Sequence, residues 1–286
     1  MGLGSYNNTN INSELFAPLV AAAQYAAFEN SIGRKITTVF DMPDNAGKVV
    51  QVPLWDAITA SNPDEGNIAT FSDTNTTSAS ITLKEFVVAH RITDLLRDSA
   101  YNDVLAQVGD QAGRAIAEAI DTDVLSNFAD FTELTAGSAN LVVNTSTILK
   151  GVAQLRSAKL TGPFVCVLHP KQAYNIKANL VYAGQNTPAL SSVGENISDL
   201  GFLGTIYGVQ VYESSLLTVD ASGDAIVAIF APQAIGHSMR GSIRLETQRQ
   251  AAYRATDLVL TAVAGSKTLR STYGYKITSD ASLGTL

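Results

Sequence analysis

The segment "DAITASNPDEGNIATFSDTNTTSASITLKEFVVAHRI" (Asp56–Ile92) joins two unlike halves. From Asp56 to Ser80 it is polar and rich in turn formers, with Ile68 and Phe71 its few large apolar residues and an acidic pair at Asp64–Glu65. A loop this long inside a compact domain is, as a rule, functional or disordered. It runs directly into the strand pattern "SITLKEFVVAHRI" (Ser80–Ile92), where the apolar set Ile81, Leu83, then Phe86, Val88 and Ile92 shifts phase by one residue near Lys84–Glu85. That shift predicts a bulge or a strong twist. An exposed extension feeding a strand makes sense only with a neighbour to cover it, because open strand edges invite pairing.

Upstream, residues 1 to about 12 are polar and Asn-rich and read as a flexible arm. Leu15, Leu19, Ala22 and Ala26 recur at helical spacing over Glu14–Phe28, which ends at the Ile32–Gly33 break. Two strands are predicted next, Ile36–Phe40 and Val49–Leu54, with "DMPDNAGK" between them as the turn. Downstream, Thr93 or Ser99 is placed to cap the longest helix, Tyr101–Phe128. Its apolar stripe is Leu105, Val108, Ala112, Ile116, Ile120, Val124 and Phe128. Gly109 and Gly113 weaken that helix intrinsically, which predicts that close packing supports that segment.

From about Gly137 helices and strands alternate. Ile148–Leu160 reads as a helix stopped by Gly162–Pro163, Phe164–Leu168 as a buried strand, and Pro170 as the opening of a helix to Leu180. "AGQNTPALSSVGEN" (Ala183–Asn196) reads as a mobile stretch. Ala225–Phe230 is predicted as a buried strand, Ile243–Thr247 and Leu258–Ala264 as half-exposed ones, and "TYGYKI" (Thr272–Ile277) closes the fold.

Composition narrows the function. Of 286 residues, 46% are hydrophobic and only 16% charged, which leans towards an obligate oligomer whose surfaces face other chains. The formal net charge of −7 makes a poor non-specific binder of nucleic acid. The single cysteine, Cys166, sits in the apolar run "FVCVL" and reads as a buried small hydrophobe. The Ala-rich N-terminal stretch carries no early Lys or Arg, so it does not read as a secretory signal, and no apolar run approaches a bilayer span. These features predict a soluble protein made in a cytoplasm.

Catalytic patterns fail one by one. "GHSMRG" (Gly236–Gly241) is one residue too long for a nucleophile elbow, and no His follows Ser238. "GSKT" (Gly265–Thr268) lacks the phosphate-loop glycine spacing. In "LGFLGTIYGVQVYESSLL" (Leu200–Leu217) the glycines feed a strand rather than a helix, which suits a chain reversal better than a dinucleotide site. His90, His169 and His237 have no paired spacing, and the carboxylates Asp94, Asp98, Asp121 and Asp123 read as solvated helix faces or subunit salt bridges. No catalytic, cofactor or metal site is therefore expected, and the chain is not expected to be an enzyme.

The order of these elements resembles the major capsid proteins of tailed bacteriophages, the Hong Kong 97-type fold shared with encapsulin shells. The stretch Val52–Leu125 is similar to that family's extended loop, the strand leaving it and the spine helix. "VCVLHPKQAYNIKANL" (Val165–Leu180) is similar to a strand and helix of its axial domain, and "LGTIYGVQVYESSLL" (Leu203–Leu217) to the turn and strand of that domain. The resemblance covers about Leu15 to Ile277. It implies an α+β fold with an N-terminal arm (1–35), strands and extended loop (36–92), the spine helix of a peripheral domain (93–136), an axial domain (137–239) and closing strands of the peripheral domain (240–286).

The implied function is self-assembly into pentamers and hexamers of an icosahedral shell around double-stranded DNA. The implied partners are a portal and a separate scaffolding protein, with no sequence-specific DNA binding and no membrane; the implied location is the virion, after synthesis in the host cytoplasm. Ile68, Phe71, Asp64 and Glu65 become the candidate intersubunit contacts. A cargo-enclosing encapsulin shell is the same-fold alternative, and a soluble α/β enzyme or binding protein the alternative from another class. The chain starts at the arm, without the scaffolding segment some members carry before it. The isopeptide-forming Lys–Asn pair of crosslinked members also finds no match, since no Asn follows Asn196 to serve Lys48 or Lys84.

Overall fold

The computed structural model describes residues 17–43, 47–56, 58, 60, 62, 66, 76–99, 104–134, 141–182 and 202–282. In chain order the regular elements are α1 (Ala17–Asn30), the single turn α2 (Gly33–Ile36), β1 (Thr38–Met42), β2 (Val49–Trp55), β3 (Thr76–Thr82) and β4 (Lys84–Thr93). Then come α3 (Asp94–Ser99), α4 (Val104–Ser126), β5 (Thr132–Glu133), α5 (Thr145–Ser157), β6 (Phe164–Leu168) and α6 (Pro170–Tyr182). The chain closes with β7 (Phe202–Ile206), β8 (Val209–Glu213), β9 (Asp224–Phe230), β10 (Ile235–Gln250), β11 (Ala255–Thr268) and β12 (Gly274–Asp280). They form a four-stranded sheet in the order β1-β10-β11-β4, a six-stranded sheet β5-β12-β9-β6-β8-β7, and the separate hairpin β2-β3.

The long helix α4 holds the molecule together. Its 23 residues span about 34 Å, and its stripe Ala112, Ile116 and Ile120 buries against Leu258, Leu260 and Ala262 of β11 and Leu19 and Ala23 of α1. The paired glycines have the predicted role. A Cβ on Gly109 would stand 2.7 Å from the Leu19 carbonyl oxygen, and one on Gly113 would strike the Ala23 backbone, so α1 lies directly on α4. At its far end Val124, Leu125 and Phe128 plug one face of the six-stranded sheet, where the rings of Phe128 and Phe131 meet Phe230 at 5.3 and 5.7 Å.

That sheet is buried on both sides. In β6, Val165 and Val167 face the end of α4, while Phe164, Cys166 and Leu168 face the core shared with α5 and α6. Two covered faces explain why "FVCVL" is apolar throughout. Asn144 begins α5 by accepting from the Thr147 amide at 2.9 Å, which starts the helix three residues before the predicted Ile148. The buried Gln172 fixes α6: its Nε2 lies 3.2 Å from the Ala225 carbonyl and 2.8 Å from Ser279 Oγ, and its Oε1 accepts from the His169 amide. β7 and β8 are joined by Tyr207–Gly208, both at positive φ, so the glycine-spaced stretch is the chain reversal predicted for it.

Several boundaries differ from the sequence reading. Ile36 ends a helical turn, and the first strand begins only at Thr38. Thr93 caps the short α3 through the Leu96 amide rather than the long helix. β10 runs for 16 residues, far beyond Ile243–Thr247. Its first part pairs in parallel with β1 before a register shift between Arg240 and Arg244, where Gly241 adopts φ 64°. The segment 240–286 serves two sheets: β11 pairs with β10 and β4, whereas β12 returns to β9 and β5.

Candidate assembly surface

The phase change near Lys84 marks where the chain passes from one sheet to another. β3 pairs with β2 from Val49↔Thr82 to Trp55↔Thr76, and after Leu83 the same extended backbone becomes β4 and pairs with β11. The root of the hairpin is clamped to the body. Ile81 and Leu83 are buried, and the Leu83 amide donates to the Lys48 carbonyl at 2.8 Å. The Arg270 guanidinium donates to the Trp55 carbonyl at 2.6 Å. Gly236 and Gly265 pass so close beneath that a Cβ on either would meet the Ile81 side chain or the Thr82 carbonyl.

Beyond this root the hairpin has no cover among the described residues. Trp55 is 62% exposed and Ile58 72%. An isolated two-stranded hairpin is marginal in water, so apolar side chains on it need another surface. Ile68, Phe71, Asp64 and Glu65, the contacts expected from sequence, lie outside the described residues. The structure adds Trp55 and Ile58, which the sequence reading passed over. The available signal was the chain's one tryptophan at the point where a strand enters a polar loop.

A second apolar group lies at the far end of the four-stranded sheet. Leu95 on α3 is 79% exposed and Tyr253, in the β10–β11 turn, 66%. Asp94 is held bidentately by Arg249 at 2.8 and 2.6 Å, and Arg91 binds Asp257 at 2.5 and 2.9 Å with Tyr253 under its guanidinium at 4.8 Å. The Arg91 hydrogen bond holds the Asp257 carboxyl below the usual range. Such exposed ion pairs add little stability; here they fix where Tyr253 and Asp94 sit.

Two further carboxylates read as solvated or intersubunit are instead engaged within the chain. Asp121 is buried and accepts from Ser31 Oγ, Ile32 N and Gly33 N at 2.8, 2.7 and 2.9 Å, pinning the break after α1 to the spine. Burial pushes its carboxyl up despite these donors. Asp123 accepts from the Ser266 amide and hydroxyl at 3.0 and 2.7 Å and pairs with Lys84. The side chain of Asp98 is outside the description.

The residues screened for chemistry are dispersed. Ser238 is buried within β10 and its hydroxyl donates to the Phe40 carbonyl at 2.7 Å. His90 lies in β4, His169 before α6 and His237 in β10. Among the described residues no group of three His, Cys, Asp or Glu could hold a metal, and no helix is long and apolar enough to cross a membrane. Burial raises the Cys166 thiol far above its ordinary range, which keeps it protonated and inert.

Residues 75–281 match the family model described as "Phage capsid protein". No curated protein matches the chain in sequence. Among solved structures, the capsid of cyanophage P-SCSP1u is similar over 89% of each chain, at 17% identity and a TM-score of 0.65. The head of Helicobacter pylori bacteriophage KHP40 is similar over 89% of this chain and 91% of its own, at 12% identity and a TM-score of 0.70. A chain of Mycobacterium phage Che8 is similar over 93% and 90%, at 17% identity and a TM-score of 0.61.

Proposed function

The chain belongs to the phage capsid protein family and is a major capsid protein of the Hong Kong 97-type fold, and we propose that its β2–β3 hairpin is the clamp by which each copy holds its neighbour in the shell. The single observation behind this is a rooted hairpin whose outer apolar residues, Trp55 and Ile58, are exposed among the described residues. Burying one such side chain contributes about 1.5 to 3 kcal/mol. Repeated over every copy, that contribution favours the assembled state alongside the other subunit contacts. The family match does not favour a cellular cargo shell or a soluble enzyme.

In this reading the subunits close as pentamers and hexamers around double-stranded DNA, without catalysis. The four-stranded sheet with α1, α3 and α4 is the peripheral domain. The six-stranded sheet with α5 and α6 is the axial domain, to which β12 belongs despite its place at the end of the chain. The net charge of −7 suits a wall along which packed DNA slides rather than sticks. A separate scaffolding protein guides closure, a portal occupies one vertex, and assembly takes place in the host cytoplasm.

The loop Asp56–Ser80 gives the test. Replacing Asn62–Asp73 with a short Gly-Ser turn removes the candidate contacts Asp64, Glu65, Ile68 and Phe71 while leaving β2, β3 and their root intact. The expected variant is a soluble subunit with near-normal circular dichroism that fails to give stable shells when coexpressed with its assembly partners. Heat-stable particles from that variant carrying Trp55→Ser and Ile58→Ser as well would refute the clamp.

A further inference from the structure

His237 lies at the meeting point of the arm, the spine helix and β10. It borders a cavity of about 30 Å³ walled by Ala27 and Ser31 of the α1 end, Arg34 of α2, Ile116, Ala117 and Ile120 of α4, and Met239 and Ile243 of β10. The ring is buried, and its Nδ1 has no hydrogen-bond partner among the described residues. The wall is mostly apolar; Ser31 already donates to Asp121, and the residue opposite His237 on β11 is the uncharged Ser266. The charged groups acting on the ring are Arg34 from α2, Asp123 from α4 and Asp41 from β1. Asp123 is committed to Ser266 and Lys84, and Asp41 is on the exposed surface beside Arg34 at 3.7 Å. A proton added at Nδ1 therefore finds no acceptor and places a second cation near Arg34 in an apolar wall.

We propose that His237 is an acid-sensitive latch for the arm: when its ring takes up a proton, α1 and α2 part from α4 and β10 while the two sheets stay folded. The arm packs through Leu19, Ala23 and Ile36, so its opening must expose those side chains while each sheet keeps its own strands. α2 is a single turn, and the Ile32–Gly33 break is held to the spine chiefly by the Asp121 carboxylate. Burial and Arg34 both lower the affinity of the ring for a proton, so the closed junction binds fewer protons than the open one. Closure is thus fully supported above the free-histidine range near 6.5 and is lost as pH falls below it. Asp121 acts in the opposite sense, since its raised carboxyl binds its proton more tightly in the closed form. It favours closure once pH falls into the raised range of its carboxyl.

The test is hydrogen exchange on the full-length unassembled subunit from about pH 7.5 to about pH 5, corrected for intrinsic exchange. Amides of residues 19–36 are expected to lose protection by up to roughly tenfold per pH unit once the ring titrates, while amides of β6 and β9 keep theirs. His237→Gln, a neutral side chain, should leave residues 19–36 protected across the range. Arg34→Gln provides a second measurement should that variant not fold: with the neighbouring cation gone the closed ring takes up its proton at less cost, so opening should need a lower pH than in the wild type. The proposal is overturned if protection of the arm does not depend on pH, if His237→Gln opens over the same range as the wild type, if Arg34→Gln leaves the midpoint unmoved, or if the sheets lose protection together with the arm.

Discussion

Gly113→Ala sets two known effects against each other at one atom. Alanine in place of glycine inside a helix stabilises it by about 1 kcal/mol. Here, however, the new Cβ would point into the Ala23 backbone, 2.8 Å from its Cα, 2.9 Å from its carbonyl carbon and closer still to the oxygen. Ordinary contact begins near 3.4 Å, so α1 must retreat by about 0.6 Å or more, and no side-chain rotation can relieve the clash. A gap of that size forfeits about a quarter to a half of the dispersion energy along the contact, at Leu19 and Ala23 in particular. Overpacking of this kind costs roughly 1 to 3 kcal/mol, so the net expectation is a loss of about 1 kcal/mol. Gly109→Ala presses on the same helix at Leu19, so the double variant should lose less than the sum, the first shift having made room for the second. Gly47→Ala, with open space around it, is the control. Urea unfolding of the purified subunit measures all four. A Gly113→Ala chain more stable than wild type by about 1 kcal/mol would refute the close crossing of α1 over α4.

Asp121→Asn retains the shape but replaces one accepting oxygen with a donor facing Ser31, Ile32 and Gly33; a loss of about 1 to 3 kcal/mol in urea unfolding is expected. Mature particles dissolved in detergent should run as a single monomer band, because Lys84 is paired with Asp123 and no Asn follows position 196. A ladder of covalent oligomers would contradict this.

Local patterns carried much of this fold. The one-residue phase change at Lys84 marks the passage between two sheets, and the glycines at 109 and 113 mark a helix crossing, because both effects act on neighbouring residues of a single element. What escaped depended on distant partners. Nothing near Ile32 in sequence shows that Asp121 will draw its amide into a helical turn and delay the first strand to Thr38. The first half of β10, "IGHSMR", shows no strand pattern because Gly236, His237 and Ser238 interrupt its apolar residues; they are buried only because β1 and β11 flank them. β12 follows β11 in sequence, yet it pairs with β9 of the other sheet, and Tyr275 and Ile277 pack into the core shared with α5 and α6. Of the assembly surface, the extended hairpin was legible from its polar length and the strand it feeds. Trp55 was not, since a tryptophan ending a strand looks like core until its exposure among the described residues is seen.

Cryo-electron microscopy of particles purified after coexpression with the assembly partners tests the central claim most directly. Closed shells are expected in which hairpin density from one subunit, beginning at Trp55, lies across the body of the next and covers Trp55 and Ile58. Small monodisperse globules, or shells in which each hairpin folds back on its own subunit, would contradict it.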